Sequence, residues 1–292
     1  MTPVAAQTRE SAPSPPAVPW VLIGWFAALI AVCYLPVLVR LVGQWSTDED
    51  MGHGYFVPVL AGYIAWQKLD EFFAAPAKPS WWGLALVIYA AVQLCVATLG
   101  AELFLARTAL VFSIIGAVWF LGGTARLRVM KFPLLLLFFM VPIPAVIYNQ
   151  ITFPLQLLAS RSAEWALMQI GIPVLREGNI LELAGEKLSV VDACSGIRSL
   201  LSLSFLSLVY GYFFETKTWL RVLLFLSTIP IAMLANASRV TLTGILADIR
   251  PEYAHGFLHS ASGMVIFLVA LVILGVFHQM VNAGYKVIYG KR

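Results

Sequence analysis

The chain has 292 residues, of which 60% are hydrophobic and 12% charged, with a mean hydropathy of +0.85. A soluble domain carries about twice that charged fraction, so composition excludes a soluble enzyme and points to a polytopic membrane protein. The net charge of +4 follows from membrane orientation and gives no reason to invoke nucleic acid.

In chain order, residues 1–19 are rich in Ala, Pro and Ser and read as a disordered cytoplasmic N-terminus. The first apolar run lacks a basic leader and a small-residue cleavage site, so it reads as a retained helix. Apolar segments recur at 20–42, 55–67, 81–99, 103–122, 132–148, 196–214, 222–247 and 259–281. The expected fold is therefore an all-α polytopic membrane bundle of about eight transmembrane helices, spanning 20–283. A basic cytoplasmic tail, 284–292, follows. Segment 151–172 is less apolar and carries Arg161 and Glu164, which suits an interfacial or re-entrant helix.

Charge sets the orientation. With a cytoplasmic N-terminus, Lys68, Lys78, Arg126, Arg128, Lys131, Lys217, Arg221 and Lys286 fall on the cytoplasmic side. Asp48, Glu49, Asp50, Glu102, Glu177, Glu182, Glu186, Asp192 and Asp248 fall outside. In a Gram-negative cell the outer face is the periplasmic face of the inner membrane.

Residues 181–191, LELAGEKLSVV, alternate apolar and polar positions around Ala-Gly-Glu and read as a small outward β-hairpin. Directly after it comes DACSGIRSLLSL. Cys194 thus stands where a water-exposed hairpin meets the start of a membrane helix. Asp192 and Ser195 can cap that helix, and a thiol at a helix N-terminus has a lowered pKa. Arg198 lies four residues on, on the same helical face. The bland alternative for Cys194 is a small residue at a helix start. Cys33 and Cys95 lie in apolar segments and behave as small hydrophobes, so no disulfide framework is expected.

Arg239 sits in LANASRVTLTGI. Eighteen residues of helix from Arg221 carry it roughly 27 Å, to the outer edge of the membrane core. Asn236 and Thr243 share its stripe. An arginine in an apolar helix is a functional-site hypothesis; its structural reading is a pair with Asp248 or Glu252, or snorkelling to the interface. His259 opens the last helix from the outside, with His255 one turn earlier. A lone interfacial histidine is more often structural. Here, however, Cys194, Arg239 and His259 come to one depth on three consecutive helices, as nucleophile, fixed cation and potential base. His53, in TDEDMGHGYF, belongs to a substrate-facing or simply solvated loop. A metal on His53 with Asp48 or Asp50 has no supporting motif, so no metal or cofactor is expected.

The motifs together resemble the exosortase/archaeosortase family of membrane transpeptidase-like proteases, over about Trp45 to Phe267. DACSGIRSLLSL is similar to that family's cysteine motif, NASRV to its arginine motif and FLHSASGMVIF to its histidine motif. DEDMGHGYFVPVLAGYIAW and GIPVLREGNILEL also resemble family segments. The resemblance implies a thiol protease acting on membrane proteins with a C-terminal PEP-CTERM-type signal, in a pathway linked to exopolysaccharide. Cys194 would form a thioester, His259 would act as acid/base, and Arg239 would stabilise thiolate or oxyanion. Arg198, Asn236, His53 and His255 would contact substrate. In archaeal relatives the histidine position can be arginine; the histidine here suggests the bacterial type. The rival reading is a transporter for an anionic lipid or glycan intermediate. A transporter would place polar groups at the membrane midplane and show internal repeats, whereas here they gather at one face.

Overall fold

A computed structural model describes residues 20–190, 196–254 and 256–289. The polytopic all-α reading holds, with a small antiparallel sheet. The number of spans differs from the eight apolar segments. Among the described residues five helices are long and apolar enough to cross a membrane, or six if one bent pair is a single span. That pair is α1 (Trp20–Cys33) and α2 (Leu35–Thr47), bent by 73°. Pro36, at the start of α2, has no N–H to continue the helical ladder. Segment 55–67 becomes α3 (Phe56–Gln67), whose 12 residues are too few to span. Segment 132–148 is split: α6 (Leu103–Leu136) ends in a 3-10 turn, and α7 (Ala145–Gln169) begins after Pro142 and Pro144.

The chain forms two compact units. The first comprises residues 1–43 and 55–141 and is built on α5 (Trp81–Leu99) packed against α6. Glycines at the contact let the two backbones approach. A Cβ on Gly83 would collide with the backbone of Phe120, and one on Gly116 would meet Val87 N at 3.0 Å. Gln93 donates to Leu105 O at 2.9 Å and lies 2.7 Å from the Thr108 hydroxyl. Gly123 breaks α6 with φ +77°, and its missing side chain makes room for the Lys78 carbonyl.

The second unit comprises residues 44–54 and 142–292. Its centre is α8 (Gly196–Phe214), α9 (Thr218–Ile249) and α10 (Gly256–Tyr289). Leu203, Leu224, Ile231, Ala232, Ala270 and Leu274 form their shared core. A meander of β1 (Val174–Glu177), β2 (Ile180–Leu183) and β3 (Lys187–Ser189) packs on α7 and α9. The hairpin around Ala184-Gly185-Glu186 is present. The sequence reading omitted β1, joined to β2 through Gly178-Asn179 with Gly178 at φ +65°. The sheet lays Val174, Leu181 and Leu188 on Ala159, Ala163, Leu167, Val240 and Ala247. Ser160 donates to Gly178 O at 3.0 Å, and Arg176 pairs with Glu164 at 2.8 Å, so the sheet is bolted to α7.

At the far end of the same three helices, buried Glu215 gathers four donors. They are the backbone N–H groups of Thr216 (2.8 Å) and Lys217 (2.9 Å), His278 Nε2 (3.1 Å) and Asn282 Nδ2 (3.3 Å). Burial alone would raise this carboxyl, but the hydrogen bonds outweigh it and hold it at about 2.

Two expectations follow. Gly83→Ala should destabilise by about 1–3 kcal/mol through overpacking, read as a lower Tm in detergent. Glu215→Gln should also lower Tm at neutral pH. Because the folded carboxyl is depressed, its contribution is complete above the ordinary value of 4.5 and is lost as pH falls towards about 2. The gap in Tm between wild type and variant should therefore be flat from pH 7 to 5 and narrow below about 4.5.

Candidate active site

The site is assembled inside the second unit by helices running alternately in opposite directions. From the shared core layer, α9 runs seven residues from Ala232 to Arg239, roughly 10 Å. On α10, His259 lies eight residues before Phe267, which packs on that layer, roughly 12 Å in the same sense. The antiparallel arrangement thus brings Arg239 and His259 level. They bond directly: Arg239 Nη2 lies 2.9 Å from His259 Nε2. A guanidinium keeps its protons, so it is the donor and Nε2 the acceptor.

The guanidinium has a fitted seat. A Cβ on Gly263, one turn after His259, would lie 2.7 Å from Arg239 Cζ and 2.9 Å from Nη2. Arg239 Nε is buried with no hydrogen-bond partner among the described residues. Thr243 donates its hydroxyl to Arg239 O at 2.9 Å, so it serves the helix backbone. Asn236 is buried and lines a small apolar void with Leu200 and Ala159, apart from the larger cleft.

That cleft, roughly 1140 Å³, is lined by Asp48, Asp50, His53, Arg198, Arg239 and His259 among others. Arg198, in the first turns of α8, donates Nε to Asp50 Oδ1 at 2.9 Å. The Tyr148 hydroxyl, from the start of α7, donates to Asp50 Oδ2. Both Asp50 oxygens are thereby engaged. Asp48 shapes the loop that presents Asp50: its Oδ1 accepts from Asp50 N at 3.0 Å and its Oδ2 from Gln44 Nε2 at 3.1 Å. A Cβ on Gly54 would strike the Trp45 indole, which closes the loop tightly. His53 meets α8 through Ser202 Oγ, 3.5 Å from Nδ1, with its ring tilted against Phe205. Ser202 is one turn beyond Arg198, so His53 lines the part of the cleft further along α8.

Cys194 and His255 lie outside the described residues. The chain on either side is anchored, with Val190 and Ile197 both buried. The structure brings Arg239 and His259, expected at one depth, into direct contact, and Arg198 and His53 line the same cleft. Sequence reasoning missed Tyr148 and Gly263, and it considered Asp50 only as a metal ligand. The polar run before His53 was the available signal for Asp50; Tyr148 had none.

Comparison with known families matches residues 45–276 to the family described as transmembrane exosortase. The chain belongs to the transmembrane exosortase family. No curated protein and no solved structure matches this exosortase. Membership carries a general role as a membrane transpeptidase in protein sorting.

Gly263→Ala should push the guanidinium off His259 and cut sorting activity on the order of a hundredfold, as a misplacement of about 1 Å does. Gly275→Ala, on the same helix with open space around its Cβ, should leave activity unchanged. Matched membrane yields of both variants in the same assay check this.

Proposed function

We propose that this exosortase is a thiol transpeptidase that cuts PEP-CTERM-type C-terminal sorting signals at the outer face of the bacterial inner membrane. The observation that carries this reading is the Arg239–His259 hydrogen bond, in the cleft that Arg198 from the first turns of α8 also lines. Cys194 is the nucleophile. Its position before α8 favours the thiolate, through free backbone N–H groups and the helix dipole. The thiolate attacks the carbonyl near the sorting motif. Arg239, with His259 beside it, stabilises the oxyanion that forms. Collapse expels the signal and leaves a thioester, which an acceptor nucleophile resolves. Arg198, tethered to Asp50, and His53 contact the bound segment, with His255 as a further substrate contact. The excess of Lys and Arg in the opposite loops supports the outward orientation. The link to exopolysaccharide-associated export belongs to the same reading.

The test is a reporter carrying a PEP-CTERM-type signal, co-expressed in a host lacking the protein and followed by size. Wild type should yield the shortened product, and Cys194→Ala, at equal membrane levels, should yield none. Equal processing by both would remove Cys194 as nucleophile.

A further inference from the structure

A groove on the second unit lies apart from the cleft and shares no lining residue with it. It runs between α7 and α9, beside the seam where Ala159, Ala163 and Leu167 pack with Val240 and Ala247. Its volume is roughly 780 Å³, inside the range of about 300–1,000 Å³ typical of small-molecule sites. Its walls are mostly apolar, with Leu158 and Leu234 at one end and Ile245 at the other. Three polar side chains open into it with nothing to bind. Among the described residues, exposed Arg161 has no hydrogen bond or ion pair, and the hydroxyls of Ser162 and Ser238 have no partner. Thr241 is not a fourth, because its hydroxyl donates to Ala237 O at 2.9 Å.

The depth of these groups follows from their neighbours. Ser160 and Glu164, before and after Arg161 on α7, are the residues that bond the sheet, to Gly178 O and to Arg176. The sheet carries the charged pair of Lys187 and Glu182 and therefore stays out of the hydrocarbon. Arg161 thus stands where α7 passes from apolar surroundings to water. Trp165, one turn on and 67% exposed, lines the same groove, as an aromatic at a membrane interface does. Glu164 is the acid nearest to Arg161 in sequence, and it is already held by Arg176 at 2.8 Å. The positive charge of the groove is left for a ligand to balance.

We propose that the groove between α7 and α9 binds one phospholipid of the surrounding leaflet. Its phosphodiester is held by Arg161 with the hydroxyls of Ser162 and Ser238, and an acyl chain lies along Leu158 and Leu234. A phosphodiester supplies one negative charge and free acceptor oxygens, which matches one guanidinium and two unengaged hydroxyls. A transmembrane helix fits this chemistry less well. Its backbone groups are satisfied internally, and an apolar helix brings no charge to Arg161. The site does not depend on the transpeptidase reading, and its test reads binding, not processing.

The first measurement is native mass spectrometry of the full-length protein in a neutral detergent, titrated with dioleoylphosphatidylglycerol. Wild type should hold one lipid tightly. Arg161→Gln should weaken that binding about ten- to a hundredfold, the usual worth of hydrogen bonds to a charged group, while Arg161→Lys keeps the charge and most of the affinity. Ala237→Trp, which fills the groove and leaves Arg161 in place, should also expel the lipid. Dioleoylglycerol, with the same chains and no phosphate, should bind weakly and ignore Arg161→Gln. Equal lipid binding by wild type and Arg161→Gln would overturn the proposal, as would dioleoylglycerol binding as tightly as the phospholipid. Inorganic phosphate that displaces the lipid at matched concentration would make this a site for a free anion and would equally overturn it. The second measurement places a photo-crosslinking residue at Leu234 in cells that also carry the sorting reporter. A lipid adduct is expected; an adduct to the membrane helix of the reporter would give the groove to a protein segment instead.

Discussion

A guanidinium in an apolar helix is costly unless it is partnered and closely seated, and the second unit gives Arg239 both. Arg239, on α9, has His259 as a direct partner and Gly263 as a seat. For these groups to meet, α9 and α10 must run antiparallel and keep a fixed register. The core of Leu203, Ala232, Ala270 and Leu274 supplies that register, and the Glu215 cluster ties the helices at the opposite end. Interdigitated cores tolerate little sliding, so contacts far from the cleft set the depth at which arginine and histidine face one another.

The small sheet adds a second constraint. Its apolar face covers α7 and α9 close to where Arg239 emerges, and its polar bonds to Ser160 and Glu164 fix it in place. The last strand leads through buried Val190 into the segment that contains Cys194, and buried Ile197 receives the chain on the other side. Asp50 adds a third constraint, since it ties α7 and the first turns of α8 to one carboxylate.

The glycines show how close approach serves chemistry as well as packing. Gly83 and Gly116 allow two backbones to touch in the first unit, where the gain is helix association. Gly263 allows a backbone to touch a guanidinium, where the gain is orientation of a charge. Both are glycines in apolar helices, and composition does not tell them apart.

Periodicity and hydropathy alone determined the membrane class, the spans at 81–99 and 196–214, the hairpin around Gly185 and the common level of Arg239 and His259. These follow from local rules: every backbone polar group in the bilayer must be satisfied within its own segment, and strand alternation has a period of two. Tertiary structure decided the rest. It bent the first span at Tyr34 and split the fifth segment around Pro142 and Pro144. It added β1 through a Gly-Asn turn, sent Asn236 to a different void, and brought Asp50 and Tyr148 to Arg198 across 148 and 50 positions of sequence. Above all it set the direction of the hydrogen bond between Arg239 and His259, twenty residues apart. A sequence shows that two polar groups share a depth; only the packing of their helices shows which nitrogen faces which.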